Sequence, residues 1–206
     1  MSALLDREIK SLFYEIAKSS ELSLQLMRGC IDSFLGRRDP GEVLKEIERG
    51  SEILSFSHDQ VRAKVSEVLA RFQPMGADLR KLISLLEISY GLLRLGRYTR
   101  NIAQVLVLFE NLGDCNISKL IETAELTEIM VKEALRAVEE GRGELAKEVI
   151  EMDDGVDKAY NDYLMEVIKG EEKKPVCAVA ITLILRYLER IADHAVMIAE
   201  EVLRMS

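Results

Sequence analysis

Residues that form turns and rings are scarce in this sequence. It has no Trp, three Pro and 12 Gly among 206 residues, and only 5% of its residues are aromatic. A β-sandwich or barrel needs turn residues at short, regular intervals, so these counts argue against both folds. Hydrophobic residues make up 48% of the chain and charged residues 31%, which is enough to build a sizeable core. We therefore expect a helical protein.

Positive charge and cysteine are also in short supply. The 28 Lys and Arg face 36 Asp and Glu, and the net charge of −8 repels nucleic acid, so we expect no nucleic-acid partner. The three cysteines, Cys30, Cys115 and Cys177, are far apart and show no CxxC spacing. This pattern suggests neither a disulfide framework nor a zinc site, and we expect three buried free thiols in a reducing cytoplasm.

Long apolar runs are absent as well. The longest, IAQVLVLF and PVCAVAITLIL, fall short of the roughly 20 residues that span a bilayer. The first residues, MSALLDREIK, include charges and no apolar signal segment. We expect a cytoplasmic protein that is not integral to a membrane.

Apolar residues recur at helical spacing along nearly the whole chain. Gly, Pro and charged residues interrupt this pattern at five places. The pattern predicts six helices, and their short connections make neighbouring helices antiparallel. We place the helices at 3–35, 41–72, 76–110, 116–140, 143–169 and 175–204.

The chain also shows an internal repeat. The first and fourth helices align at an offset near one hundred residues, with Ile16 over Leu120, and NIAQVL (101–106) aligns with MIAEEV (197–202). Each unit would leave one face of its apolar stripe for the other to cover. The expected all-α fold is two tandem three-helix bundles, 1–112 and 113–206.

Carboxylates are the only abundant reactive groups. Two acid pairs at i, i+4 spacing stand out, Asp153 with Asp157 and Glu189 with Asp193. They lie on the fifth and sixth helices, whose antiparallel hairpin puts Asp157 level with Glu189 and Asp153 level with Asp193. Four converging carboxylates repel one another unless a cation neutralises them. The four residues are therefore a candidate site for a cation such as iron, manganese or magnesium.

Two alternatives stay open at this stage. Arg186 and Arg190 precede Glu189 and Asp193 by three residues each and can satisfy them as ordinary surface ion pairs, which leaves a plain helical scaffold. A carboxylate-bridged metal enzyme would instead keep an open coordination position. No Glu-x-x-His or HExxH pair supports that chemistry.

The remaining motifs give no catalytic assignment. His194 points about 100° around the helix from Asp193, so we expect a satisfied, partly buried histidine and not a ligand. His58 has no partner histidine at ligand spacing. No phosphate-binding GxxxxGK[ST] loop or GxGxxG turn is present, which argues against nucleotide hydrolysis.

Two segments resemble the PhoU family of phosphate-uptake regulators. They are RYLERIADHAVMIAEEV (186–202) and QPMGADLR (73–80), set in a duplicated three-helix layout. The resemblance implies surface metal clusters, commonly iron, held by acid-x-x-x-Asp pairs on the second and third helices of each repeat. The four acids named above stand at the second-repeat positions, where manganese, zinc or magnesium are alternatives to iron.

The first repeat departs from this pattern, because Leu93 and Arg97 stand where Glu189 and Asp193 stand in the second. Glu52 and Arg97 lie at the same level, so we expect an arginine–carboxylate pair in place of a cation. The resemblance further implies a homodimeric adaptor and not an enzyme. Such an adaptor links the ATPase of a phosphate transporter to a membrane sensor kinase in phosphate-starvation signalling.

Overall fold

The computed structural model describes residues 2–109 and 112–205. These residues form helices and no strands, so the prediction of an all-α fold is confirmed. The predicted helix ends agree within a few residues, and the predicted end of the third helix at residue 110 lies outside the described residues. The described residues form a short 3-10 helix at Leu112–Asp114 and six α-helices: α1 (Ser2–Phe34), α2 (Pro40–Phe72), α3 (Ala77–Leu108), α4 (Ser118–Glu140), α5 (Gly143–Ile168) and α6 (Pro175–Met205).

Local chemistry explains several of the helix ends. The Glu42 N–H donates to the side chain of Asp39 at 2.9 Å, which caps α2, and Pro40 follows in the first turn, where it has no hydrogen bond to lose. At its far end, α2 stops at Gln73, which has a left-handed φ of 47°. Gly141, with a φ of 63°, ends α4 in the same way and needs no strain to do so.

The helices pack as two three-helix units joined along α3 and α6. In the first unit α1 and α2 pack on α3, and in the second α4 and α5 pack on α6. The two central helices are antiparallel, since Gly91 contacts Ile198 near one end and Tyr98 stacks on Tyr187 further along. A lighter contact between α1 and α4 completes the join.

One continuous apolar core runs through both units. Its centre is the join between α3 and α6, where a Cβ on Gly91 would lie 2.8 Å from Ile198 Cγ1. The absence of a side chain at Gly91 therefore lets the two helices approach closely. Side chains that are almost completely buried come from both units and include Leu82, Leu85, Ile88, Leu120, Met130 and Ile181. None of the described helices combines the length and apolarity that crossing a membrane requires.

The structure contradicts the prediction of three free thiols. Cys115 and Cys177 form a disulfide bond across a sequence separation of 62 residues, with their Cα atoms 5.5 Å apart. It ties the segment before α4 to the start of α6, so it lies within the second unit. Sequence spacing could not reveal this pair, because only the packing of α4 against α6 brings the cysteines together. Of the three, Cys30 alone is free, and it is buried as expected.

Candidate functional site

The four candidate ligands lie on two neighbouring antiparallel helices. Asp153 and Asp157 are on α5, Glu189 and Asp193 are on α6, and all but the exposed Asp157 are half-buried. Asp153 interacts electrostatically with Asp193, and Glu189 interacts with Asp157. The hairpin therefore brings all four carboxylates into one patch, which we call the acidic patch.

The surroundings of the acidic patch raise the pKa of two of its carboxyl groups. Burial raises the pKa of Asp153 to about 6, and repulsion from Asp157 and Asp193 adds to the effect. Burial also raises the pKa of Glu189, again with a contribution from the two aspartates, while two arginines of α6 oppose it. Each carboxylate of this kind would gain from a nearby cation.

Two oxygen atoms of the patch lack hydrogen-bond partners. Asp153 Oδ1 and Glu189 Oε2 are both buried, and no donor reaches either of them within hydrogen-bond geometry. A buried acceptor without a donor costs about 1–3 kcal/mol, so such atoms are usually explained by a bound ion or water. Carboxylate oxygens are also the donors that hard cations prefer.

Two arginines compete for the same acids. Arg186 Nη1 lies 2.6 Å from Glu189 Oε1, and Arg190 Nη1 lies 3.1 Å from Asp193 Oδ2. These are the surface ion pairs that sequence reasoning gave as the alternative. Within the described residues no group of three or more His, Cys, Asp or Glu side chains is arranged to hold a metal ion. Metal binding would require Glu189 and Asp193 to turn away from the arginines, and it stays a prediction.

The two histidines contact tyrosine and serine side chains. The ring of His194 stacks on Tyr98 of α3 with centroids 5.8 Å apart, and it meets Tyr90 edge-on at 6.0 Å. It is partly buried as predicted, but its Nδ1 atom is buried without a hydrogen-bond partner, so it is not satisfied. Burial lowers its pKa to about 4, helped by Arg94. His58 Nδ1 lies 2.8 Å from Ser89 Oγ.

The first repeat differs from the second at the matching level. Leu93 is buried and Arg97 is exposed, and the predicted ion pair between Arg97 and Glu52 does not form, so that prediction was wrong. The helix surface of α3 that faces α2 is at Gly96, where a Cβ would lie 2.6 Å from Leu54 Cδ1. Arg97 is rotated by about 100° from that contact. Two residues at the same level on neighbouring helices therefore need not point toward each other.

Sequence reasoning also missed a basic stretch on α3. Residues 88–109 contain three arginines, Arg94, Arg97 and Arg100, and no acid. The Arg94 guanidinium lies 4.7 Å above the Tyr98 ring and donates to the Tyr98 hydroxyl. A count of charge along the chain could have found this stretch. Its arrangement around Tyr98 depends on the fold.

Comparison with known proteins decides the family. A model of the PhoU domain matches residues 16–106 and 120–202. The chain belongs to the PhoU family. The two matched segments lie on either side of the boundary predicted between residues 112 and 113, which itself stays a prediction.

Relatives support this PhoU assignment along nearly the whole chain. A protein of Archaeoglobus fulgidus is 30% identical over 200 residues, covering 96% of this chain and 88% of its own length. One of Caulobacter vibrioides strain NA1000 is 28% identical over 198 residues, covering 94% and 85%. Both are named phosphate-specific transport system accessory protein PhoU homolog.

Solved structures share the PhoU fold seen here. The crystal structure of PhoU from Pseudomonas aeruginosa superimposes with a TM-score of 0.88 at 23% identity, covering 97% of each chain. The phosphate transport system regulatory protein PhoU from Streptococcus pneumoniae gives a TM-score of 0.87 at 21% identity, covering 98% of this chain and 96% of its own. At these identities the likeness concerns the fold alone.

Proposed function

We propose that this chain is an accessory protein of a phosphate-specific transport system and regulates phosphate uptake. The observation that carries the proposal is the match of the PhoU domain to both repeats, together with named accessory proteins that align with 94–96% of the chain. The chain acts as an adaptor and not as an enzyme. The name shared by its relatives, accessory protein, supports this role.

The adaptor works in the cytoplasm as a homodimer. Its partners are the ATPase of the phosphate transporter and the membrane sensor kinase of phosphate-starvation signalling. The resemblance to PhoU regulators supports both partners. The test is co-purification of the tagged full chain with each partner at low and at high phosphate, combined with a phosphate-starvation reporter in cells that lack the gene. Recovery of neither partner at any phosphate concentration would contradict the proposal.

We further propose that Asp153, Asp157, Glu189 and Asp193 hold a metal ion, with iron first and manganese, zinc or magnesium as alternatives. The two buried oxygens without hydrogen-bond partners and the raised pKa of Asp153 support this assignment. A bound cation would offset the repulsion among these carboxylates. Arg186 and Arg190 would then give up their present ion pairs with α6 acids.

Elemental analysis of the purified protein tests the metal. Asp153→Asn and Glu189→Gln each remove a charged ligand oxygen, and we expect both to lower the metal content. Asp162→Asn is the matched control, since Asp162 is an exposed acid on α5 outside the patch. Unchanged metal content in both variants would refute the ligand assignment. A protein free of metal would leave the ion-paired scaffold as the correct alternative.

A further inference from the structure

The basic stretch on α3 is unusual in this chain. The molecule has a net charge of −8, yet residues 88–109 carry three positive charges and no negative ones. Many arginines elsewhere on the helices have carboxylate partners, as Arg62 has Asp59 at 2.9 Å and Arg136 has Glu133 at 2.7 Å. Among the described residues, Arg94, Arg97 and Arg100 form no ion pair.

Arg94 is also held in place. Its guanidinium stacks on the ring of Tyr98 and donates to the hydroxyl of the same residue. Tyr98 is fixed in turn by stacking on Tyr187 at 6.2 Å and on His194 at 5.8 Å. A guanidinium held in this way loses little conformational freedom when it binds an anion.

Arg97 supplies the second cation. It lies three residues after Arg94, so the Cβ atoms of the two are about 5–6 Å apart on the same helix. Its side chain is exposed, whereas Arg94 is half-buried. Each guanidinium has five N–H donors; in Arg94 one is used on Tyr98 and the Nε–H is buried, which leaves three Nη–H donors.

We propose that Arg94 and Arg97 bind a free tetrahedral oxyanion, of which inorganic phosphate is the test case. Two guanidinium groups match the charge and geometry of such a dianion, because each can donate two parallel hydrogen bonds to neighbouring oxygens. A single carboxylate would neutralise only one of the two. Such a site requires only these arginines, whether or not the chain acts in phosphate transport as proposed above.

Isothermal titration calorimetry of the full chain with sodium phosphate in low-salt buffer tests the site, with sodium sulfate titrated in parallel. We expect saturable phosphate binding, weakened about tenfold or more in Arg94→Gln and in Arg97→Gln, since each loses charge-assisted hydrogen bonds. Arg62→Gln removes an exposed, carboxylate-paired arginine from α2 and is the matched control, expected to change the affinity less than about twofold. Weaker sulfate binding that is lost in the same variants would also support the site.

Arg94→Lys separates a specific site from a diffuse positive field. Lysine keeps the positive charge but lacks the planar guanidinium group that can donate two parallel hydrogen bonds. A specific site should therefore bind phosphate more weakly in this variant. Circular dichroism melts establish that each variant is folded, and the exposed Arg97 keeps the test valid if Arg94 variants unfold. Absence of saturable binding to the wild-type chain, or equal affinity in Arg97→Gln, would overturn the proposal. Either result would leave the accessory role intact, because co-purification with partners is measured independently.

Discussion

The two repeats share a backbone plan and differ in charge. At matching positions the second repeat carries Glu189 and Asp193, and the first carries Leu93 and Arg97. α2 does offer Glu48 and Glu52, both of which are exposed and have no ion-pair partner on α3 among the described contacts. The comparison teaches that a duplicated fold does not imply a duplicated site. The first repeat has the buried Leu93 in place of the half-buried Glu189, and the exposed Arg97 in place of the half-buried Asp193.

The repeats differ in covalent structure as well. The second is closed by the bond between Cys115 and Cys177, and Cys30 in the first is a free buried thiol whose pKa is raised by burial. A cross-link of this kind stabilises mainly by restricting the unfolded chain. The second repeat therefore contains both the acidic patch and the disulfide bond.

The largest expected effect comes from removing the disulfide. A cross-link that closes a loop of 62 residues stabilises by about 4 kcal/mol in the chain-entropy account. We expect Cys115→Ser to lower the free energy of unfolding by an amount of that order, measured by urea denaturation without reductant. Cys30→Ser controls for the loss of a thiol, and its effect should not depend on reductant. Identical unfolding of the wild-type chain with and without reductant would contradict the prediction.

A methyl group at the join between the repeats should have the next largest effect. In Gly91→Ala the new Cβ would lie 2.8 Å from Ile198 Cγ1, so the Ile198 side chain or the two helices must shift. We expect a loss of about 1–3 kcal/mol in the free energy of unfolding. Gly29→Ala, where the nearest atom is 3.4 Å away, is the control and should be neutral or slightly stabilising. Equal stability of the two variants would show that the join tolerates separation.

The acidic patch should make stability depend on pH. Because the pKa of Asp153 is raised from 3.8 to about 6, the folded state binds this proton more tightly than the unfolded chain. Stability therefore falls as pH rises through that window. In chelator-treated protein at pH 7 we expect Asp153→Asn to stabilise by about 1 kcal/mol, a value reduced for solvent screening. The gain should vanish below pH 4, and Glu52→Gln in the first repeat should show no such gain.

The smallest expected effect concerns the ion pair between the repeats. Arg28 Nε lies 2.8 Å from Glu128 Oε1, across the lighter contact between α1 and α4. Since the arginine is 57% exposed, we expect Glu128→Gln to cost about 0.5 kcal/mol, measured by thermal melting, and less at high salt. Asp59→Asn breaks a local pair within α2 and gives the comparison. A cost of several kcal/mol would mean that this pair holds the two units together.

The helices and the family could be predicted from residues alone, and parts of the site could not. Asp39 caps the start of α2, and Gln73 and Gly141 end α2 and α4, through local chemistry that involves few neighbours. The acids of the patch could be predicted, because the level of a residue along a helical hairpin follows from its distance in sequence from the turn. Counting gave the wrong answer for Arg97 and Glu52, because direction around a helix depends on how neighbouring helices are rotated.

The sequence by itself determined six amphipathic helices, their order, the duplication and the family, because periodicity, capping and turn residues act over short distances along the chain. The tertiary structure alone decided the bond between Cys115 and Cys177, the stacking that holds Arg94, and the burial of two oxygens of Asp153 and Glu189 without hydrogen bonds. Each of these depends on the distance and rotation between helices far apart in sequence. Close packing of side chains fixes both quantities only once the whole core has formed.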